Sequence, residues 1–151
     1  MIAADDHAVW MPADGGTKLA KIDPVHNIVG SRLTMPAGSF TAATGFGAVR
    51  VSSSLKNLVT RVDAATNHVA ATIPVGPKPR FLAAGLGAVW ILNQGDGTVS
   101  RIDPASNKVV ATIALETPGN GGDIAIGAGA VWVTNLGTPP SRIDPATNHI
   151  R

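Results

Sequence analysis

Two residue types with wide use in catalysis are scarce in this sequence of 151 residues: cysteine is absent, and glutamate occurs once, as Glu116. Without cysteine the chain has no disulfide, no thiolate metal site and no cysteine nucleophile. The scarcity of glutamate also argues against helical repeats, which are rich in Ala, Leu, Glu and Lys at helical spacing. Glycine or proline recurs here every few residues instead. The composition therefore favours strands and turns.

Charged blocks and long apolar runs are missing as well. The chain has 12 Lys and Arg against 10 Asp and Glu, a net charge of +2, and no basic stripe interleaved with aromatic residues. We therefore expect no nucleic-acid partner. The first ten residues lack the basic and apolar regions of a targeting signal, and no run approaches a membrane span. We expect a soluble chain with no membrane partner, and leave its compartment open.

The chain repeats itself about every 40 residues. One marker, Ala-Val-Trp, starts at residues 8, 88 and 130, with Ala-Val-Arg at residue 48. A second marker of the type Arg-Ile-Asp-Pro starts at residues 21, 61, 101 and 142. Successive starts differ by 40, 40 and 42 residues for the first marker and by 40, 40 and 41 for the second. Two independent markers agree, so the similarity is a true internal repeat.

The stretch Phe81–Leu115 is the clearest copy of the repeated unit. Its apolar runs, separated by Gly, Asp, Pro and Asn, predict four strands at 81–84, 88–93, 98–103 and 108–115. In the last turn Asp103 can accept hydrogen bonds from the following amides, and Asn107 tolerates a left-handed exit. The second strand is apolar on both faces, so both sides of the sheet need cover. A four-stranded sheet of this kind, repeated along the chain, predicts a β-propeller blade.

The whole chain therefore divides into four blades of an all-β propeller. The predicted blades span about residues 1–35, 40–75, 80–115 and 122–151, and the last has a truncated outer strand. Some copies depart from the common pattern. Blade 1 has Asp5, Asp6 and His7 in place of Gly-x-Gly, and blade 2 has Arg50 in place of Trp and Ala64 in place of Pro.

The Gly-Ala-Val-Trp-Val-Thr-Asn strand of blade 4 and the Arg-Ile-Asp-Pro turns resemble the YVTN-type repeat. More loosely, they resemble the propellers of virginiamycin B lyase and of quinoprotein dehydrogenases. The resemblance covers essentially the whole chain and implies a propeller, but these families include enzymes and binding proteins alike. Lyase repeats tend to end the second strand with an acidic residue, where this chain has Ala13, Ser53, Asn93 and Asn135. We therefore predict no catalytic residue, metal or cofactor.

An open arc of four blades would leave one bare apolar face at each end, of at least several hundred Å². We expect two chains to join, blade 4 of each against blade 1 of the other, in an eight-bladed homodimeric ring. A single four-bladed ring, a higher assembly or a longer parent protein are the alternatives.

The candidate binding residues lie on the face formed by the loops that follow the second and fourth strands of each blade. They are Lys78, Arg80, Asp96, Glu116 and Asp123, and Lys78, Arg80 and Asp123 are expected nearest to the channel mouth. We interpret the four histidines as structural residues. We also interpret Arg101 and Asp103 as an ion pair, with Asp103 capping its turn. The sequence thus predicts a non-enzymatic module that self-assembles, with a small ligand or a peptide as a candidate occupant. The alternative is a lyase-like or other enzyme whose site forms only in the assembled ring.

Overall fold

The computed structural model describes residues 1–115 and 122–151, and within them the chain is all-β, with fifteen strands and one short 3₁₀ turn. Blade 1 contains β1 (Ala3–Ala4), β2 (Val9–Ala13), β3 (Lys18–Asp23) and β4 (Ile28–Thr34). Blade 2 contains β5 (Ser39–Gly45), β6 (Ala48–Ser53), β7 (Leu58–Asp63) and β8 (Val69–Pro74). Blade 3 contains β9 (Pro79–Gly85), β10 (Ala88–Asn93), β11 (Thr98–Asp103) and β12 (Lys108–Ala114). Blade 4 contains β13 (Asp123–Gly127), β14 (Ala130–Thr134) and β15 (Ser141–Ile143).

Each blade is an antiparallel meander whose strands pair in chain order. In blade 3 the two middle strands have the predicted bounds. β9 starts two residues earlier and ends one residue later than predicted, and β12 ends one residue earlier. In blade 4 a single bridge between Ile143 and Ile150 replaces the outer strand. The turn after the third strand of each blade contains an asparagine with positive φ: Asn27, Asn67, Asn107 and Asn148.

The core consists of three apolar clusters, one at each junction between neighbouring blades. Val89 and Ile91 pack toward blade 2, whereas Trp90 and Leu92 pack toward blade 4, and all four are at most 1% exposed. The expectation that both faces of this sheet are covered is confirmed. Among the described residues no cluster joins blade 4 to blade 1, and the four blades do not close into a ring.

The first strands of the blades lie side by side at the inner edge of the arc, β5 against β9 and β9 against β13. They approach so closely that a Cβ added at Gly45 would lie 2.8 Å from the Cβ of Ala84. Thr44 Oγ1 also donates a hydrogen bond of 2.7 Å to the carbonyl of Ala4. Small residues on these strands are therefore required by packing. In the part of the chain that the structure describes, no helix has the length and apolar character to cross a membrane.

Candidate ligand site on the loop face

The loop face is the side of the arc that carries the turns after β2, β6 and β10 and the links into β5 and β9. It contains two adjoining cavities. The larger, of about 610 Å³, lies between blades 1 and 2 and includes Asp14 and Gly38 in its lining. The smaller, of about 280 Å³, lies between blades 2 and 3, and both are lined by Phe40, Ser54 and Leu55. We call the smaller one the blade 2–3 cavity.

The structure brings two of the predicted site residues together, because Lys78 and Arg80 both line the blade 2–3 cavity. Asp96 lines neither loop-face cavity and instead accepts hydrogen bonds from the amide and hydroxyl of Thr98, at 3.2 and 2.8 Å. Asp123, also outside both, accepts a hydrogen bond of 2.8 Å from the amide of Ile124. Glu116 lies outside the described residues. Of the predicted site residues that the structure describes, only the cations Lys78 and Arg80 line this cavity.

Aromatic rings hold the guanidinium of Arg80 in place. It lies over the ring of Phe40, 4.2 Å from the centroid, and 5.7 Å from the centroid of Phe81. The two rings themselves meet edge to face, with their centroids 5.7 Å apart. Arg80 Nη1 also lies 3.5 Å from Gln94 Oε1. A stacked guanidinium has less conformational freedom to lose when it binds a partner.

Four residues that line the cavity were not predicted from the sequence: Phe40, Ser54, Leu55 and Gln94. One signal was available for Phe40, since the chain has only three phenylalanines and two of them, Phe40 and Phe81, occur on first strands of neighbouring blades. No local signal identifies Leu55 or Gln94, which are reached only through contacts between blades.

Lys78 has an uncommon backbone conformation, with φ of 49°. The equivalent residue of the preceding repeat is Gly38, whose φ is 80°. In Lys78 the amide donates to Asn57 Oδ1 at 3.0 Å, and the carbonyl accepts from the amide of Gln94 at 3.1 Å. A left-handed conformation is unfavourable for a residue with a Cβ, and more so before a proline such as Pro79. Contacts with the second-strand turns of both blades therefore hold Lys78 against its local preference.

The expected ion pair between Arg101 and Asp103 is wrong. Arg101 lies over the ring of Trp90, 5.0 Å from its centroid, and donates to Asn148 Oδ1 of the next blade at 2.8 Å. Asp103 instead caps its turn, as predicted, and its pKa is lowered by hydrogen bonds from the Ser106 hydroxyl and from the amides of Ala105 and Ser106. The turn donors occupy the carboxylate, and the ring faces the guanidinium, so the two charges do not meet.

Asp5, Asp23 and His26, on the opposite face, have local partners. Burial acts to raise the pKa of Asp5, but hydrogen bonds from the amides of His7 and Ala8, both 2.9 Å, outweigh it and leave the pKa below its usual value. His26 Nδ1 lies 2.7 Å from Asp23 Oδ2, and this bond lowers the pKa of Asp23. Within residues 1–115 and 122–151, no three His, Asp or Glu side chains gather as metal ligands would.

The side chains of Asn93 and Ser53 make hydrogen bonds within the fold. Both residues stand at positions where lyase repeats tend to have an acidic residue. Asn93 is fully buried, and its Nδ2 donates to Thr98 Oγ1 and Ser100 Oγ at 2.9 and 2.8 Å. Ser53 Oγ donates to the carbonyl of Ala37 at 2.7 Å. These side chains tie the second strand to its neighbours.

Four radially repeated antiparallel sheets, packed face to face around their first strands, define a segment of a β-propeller. No family model and no curated protein sequence matches the chain, so the YVTN-type assignment stays a prediction.

Solved structures support the fold. The chain is similar to hydrazine synthase of Kuenenia stuttgartiensis, with a TM-score of 0.88 and 15% identity over 99% of this chain and 46% of that one. It is similar to streptogramin B lyase, with a TM-score of 0.82 and 16% identity over 99% of this chain and 52% of that one. It also resembles BamB from Moraxella catarrhalis, with a TM-score of 0.74 and 16% identity over 99% of this chain and 50% of that one. At these identities the likeness shows the fold alone, and the chain spans about half the length of these structures.

Proposed function

We propose that this chain is a propeller module that assembles with a second copy of itself, blade 4 of each chain packing on blade 1 of the other. The observation that carries the proposal is Trp132. Its equivalents Trp10 and Trp90 are completely buried at internal junctions, whereas Trp132, on the free face of blade 4, is 36% exposed. An apolar face that repeats an internal junction is suited to the same kind of partner.

The internal junctions show how such a face binds the next blade. Arg101 covers Trp90 and reaches Asn148 in the turn of blade 4, and Lys21 covers Trp10 at 4.8 Å and reaches the carbonyl of Ala64 in blade 2 at 3.2 Å. In blade 4 the same pair is present, because Trp132 is the strand partner of Arg142. This face therefore lacks only a blade with an Asp-Pro-x-x-Asn turn.

Blade 1 offers that turn and a matching apolar face. Asn27 occupies the repeat position of Asn148, in a turn of the same Asp-Pro-x-x-Asn type, so its side-chain oxygen is the equivalent acceptor for Arg142. Val9, Met11 and Ile22 occupy the positions of Val89, Ile91 and Ile102, which are fully buried in blade 3. Met11, by contrast, is 38% exposed. The two free faces of one chain thus carry the same kinds of apolar and hydrogen-bonding groups as an internal junction.

The similarity to solved structures supports this arrangement, since the arc aligns over 99% of its length with about half of each of these larger propeller chains. Two such arcs related by a two-fold axis would bury both free faces and leave no bare end. Eight blades would then surround the channel.

Light scattering coupled to size-exclusion chromatography tests the assembly. We expect a mass near twice the chain's 15.3 kDa, and a monomer at micromolar concentration would refute the proposal. Trp132→Asp should shift the mass toward the monomer, because it places a charge in both junctions of the ring. Leu136→Asp is the matched control, since Leu136 is a 78% exposed apolar residue that lies in the blade 4 loop after β14.

A mixing experiment identifies the two faces. Met11→Asp damages the blade 1 face, so Trp132→Asp and Met11→Asp chains should each be monomeric alone. Mixed, they can form one undamaged junction, between the natural blade 4 of one variant and the natural blade 1 of the other. Association that appears only in the mixture supports the blade 4 to blade 1 contact, and equal self-association of both variants contradicts it.

A further inference from the structure

We propose that the blade 2–3 cavity binds a small aromatic carboxylate, with the anion at Lys78 and Arg80 and the ring against Phe40 and Leu55. The cavity is built from blades 2 and 3 of one chain. The proposal therefore goes beyond ring assembly and does not depend on it.

The polar groups of the cavity favour an anion. Lys78 and Arg80 are cations, and no carboxylate is among the residues that line the cavity. In the described part of the chain, the ion pairs are His26 with Asp23, Arg32 with Asp14, and Arg151 with Asp144, so neither Lys78 nor Arg80 takes part in one. The strongest partner for two adjacent unpaired cations is a ligand that carries negative charge and several acceptor lone pairs.

Gln94 adds a neutral donor to the same wall. Its Nε2 is buried and has no hydrogen-bond partner among the described residues, whereas its Oε1 faces the Arg80 guanidinium. If the amide were flipped, Gln94 Nε2 and Arg80 Nη1, both donors, would face each other at 3.5 Å. The guanidinium therefore fixes Oε1 as the Gln94 atom that faces it. A buried donor without a partner is unfavourable, and rotation of the Gln94 side chain toward the cavity would let a carboxylate oxygen satisfy it.

The cations are held in position before any ligand arrives. Phe40 and Phe81 restrict Arg80, and the hydrogen bonds to Asn57 and from Gln94 restrict the backbone of Lys78. Lys78 keeps a left-handed backbone where the equivalent repeat has glycine. Strained residues that the surrounding structure enforces concentrate at binding sites, where rigidity reduces the entropy lost on binding.

The apolar part of the wall favours a flat ring. Phe40 and Leu55 line the cavity beside the cations, and Leu55 is 73% exposed. A large apolar side chain left open to water at the rim of a cavity gains from contact with an apolar ligand. The volume of about 280 Å³ is that of a site for one small molecule.

Calorimetric titration of the whole chain with three probes tests the chemistry. Naphthalene-1-carboxylate should bind saturably. Its neutral isostere naphthalene-1-carboxamide, which lacks the negative charge, and inorganic phosphate, which lacks the aromatic ring, should each bind at least about tenfold more weakly. Equal binding of carboxylate and carboxamide, or no saturable binding of the carboxylate, would overturn the proposal.

Variants locate the site. Arg80→Gln and Lys78→Gly should each weaken binding of the carboxylate by about tenfold, and Lys78→Gly keeps the positive φ that glycine accepts. Lys56→Gln is the matched control, since Lys56 is an exposed lysine in the blade 2 turn that does not line the cavity. If Arg80→Gln and Lys78→Gly both bound the carboxylate as tightly as the Lys56→Gln control does, the proposal would be overturned. The monomeric Trp132→Asp chain should retain binding, so failure of ring assembly and failure of this site are separate results.

Discussion

Arg50 Nη1 donates a hydrogen bond of 3.0 Å to the carbonyl of Gly45, as Trp90 Nε1 does to the carbonyl of Gly85 at 3.2 Å. The arginine of blade 2 thus replaces one bond of the repeated tryptophan but not its apolar surface. Arg50 is completely buried, and its Nε and Nη2 have no partner among the described residues. Burial, together with the nearby charge of Arg61, lowers the pKa of Arg50.

Arg50→Trp should therefore stabilise the protein. Replacing a buried, partly unsatisfied guanidinium by the apolar residue of the other repeats should raise the free energy of unfolding by about 2 kcal/mol. Urea unfolding measures the change. The reciprocal variant Trp90→Arg, at a junction built for tryptophan, should lower the same free energy, and a loss of stability in Arg50→Trp would show that this arginine has partners of its own.

Lys78→Gly should also stabilise the fold, because glycine accepts a φ of 49° that a residue with a Cβ does not. We expect a gain of about 1 kcal/mol in the free energy of unfolding. Lys78→Ala is the control, since it removes the charge and keeps the Cβ. If alanine and glycine gave the same stability in urea, the backbone strain at this position would be disproved.

The turn aspartates should make the fold sensitive to acid. The pKa of Asp63 is lowered mainly by the amide and hydroxyl of Thr66, that of Asp103 by the hydroxyl of Ser106, and that of Asp144 by the amide of Ala146. Each folded value is below the ordinary 3.8. Their stabilising contribution is therefore complete above about pH 5 and is lost as the pH falls through 3.8 and the folded values.

Asp103→Asn isolates one of these carboxyls. The difference in unfolding free energy between the natural chain and this variant should be largest at neutral pH and shrink in acid, as Asp103 becomes protonated. Ser106→Ala, which removes the hydroxyl donor, should reduce the pH dependence by the same mechanism. A difference that stays constant from pH 7 to below about pH 3 would contradict the assignment.

Ala64→Pro should bring no gain, although the other three repeats have proline at this position. The amide of Ala64 donates to the carbonyl of Gly47 at 3.2 Å, and proline cannot make that bond. The lost bond offsets the entropic benefit, so we expect a change between zero and a loss of about 1 kcal/mol. Pro104→Ala is the reciprocal control in blade 3. If Ala64→Pro raised the free energy of unfolding by as much as Pro104→Ala lowered it, this account would be contradicted.

The sequence by itself determined the parts of the fold that depend on local chemistry. Strand bounds followed from apolar runs between turn residues, as in β10 and β11, and the positive φ of Asn107 followed from its place after Asp103 and Pro104. These features recur in every blade because each repeat carries its own turn signals. Lys78 and Arg80 were predicted as candidate binding residues from their place at the start of one first strand, and their role in binding stays a prediction.

Only the tertiary structure decided which side chains meet across blades. Phe40 lies forty residues before Arg80 in the sequence and reaches it because first strands pack side by side, as closely as Gly45 and Ala84 allow. A lysine between two prolines predicts an extended backbone, yet bonds to Asn57 and from Gln94 hold Lys78 left-handed. Arg101 likewise turns from Asp103 to Trp90 and Asn148, because its partners belong to the neighbouring strand and to the next blade. Contacts between repeats depend on the curvature of the arc, which no single repeat encodes.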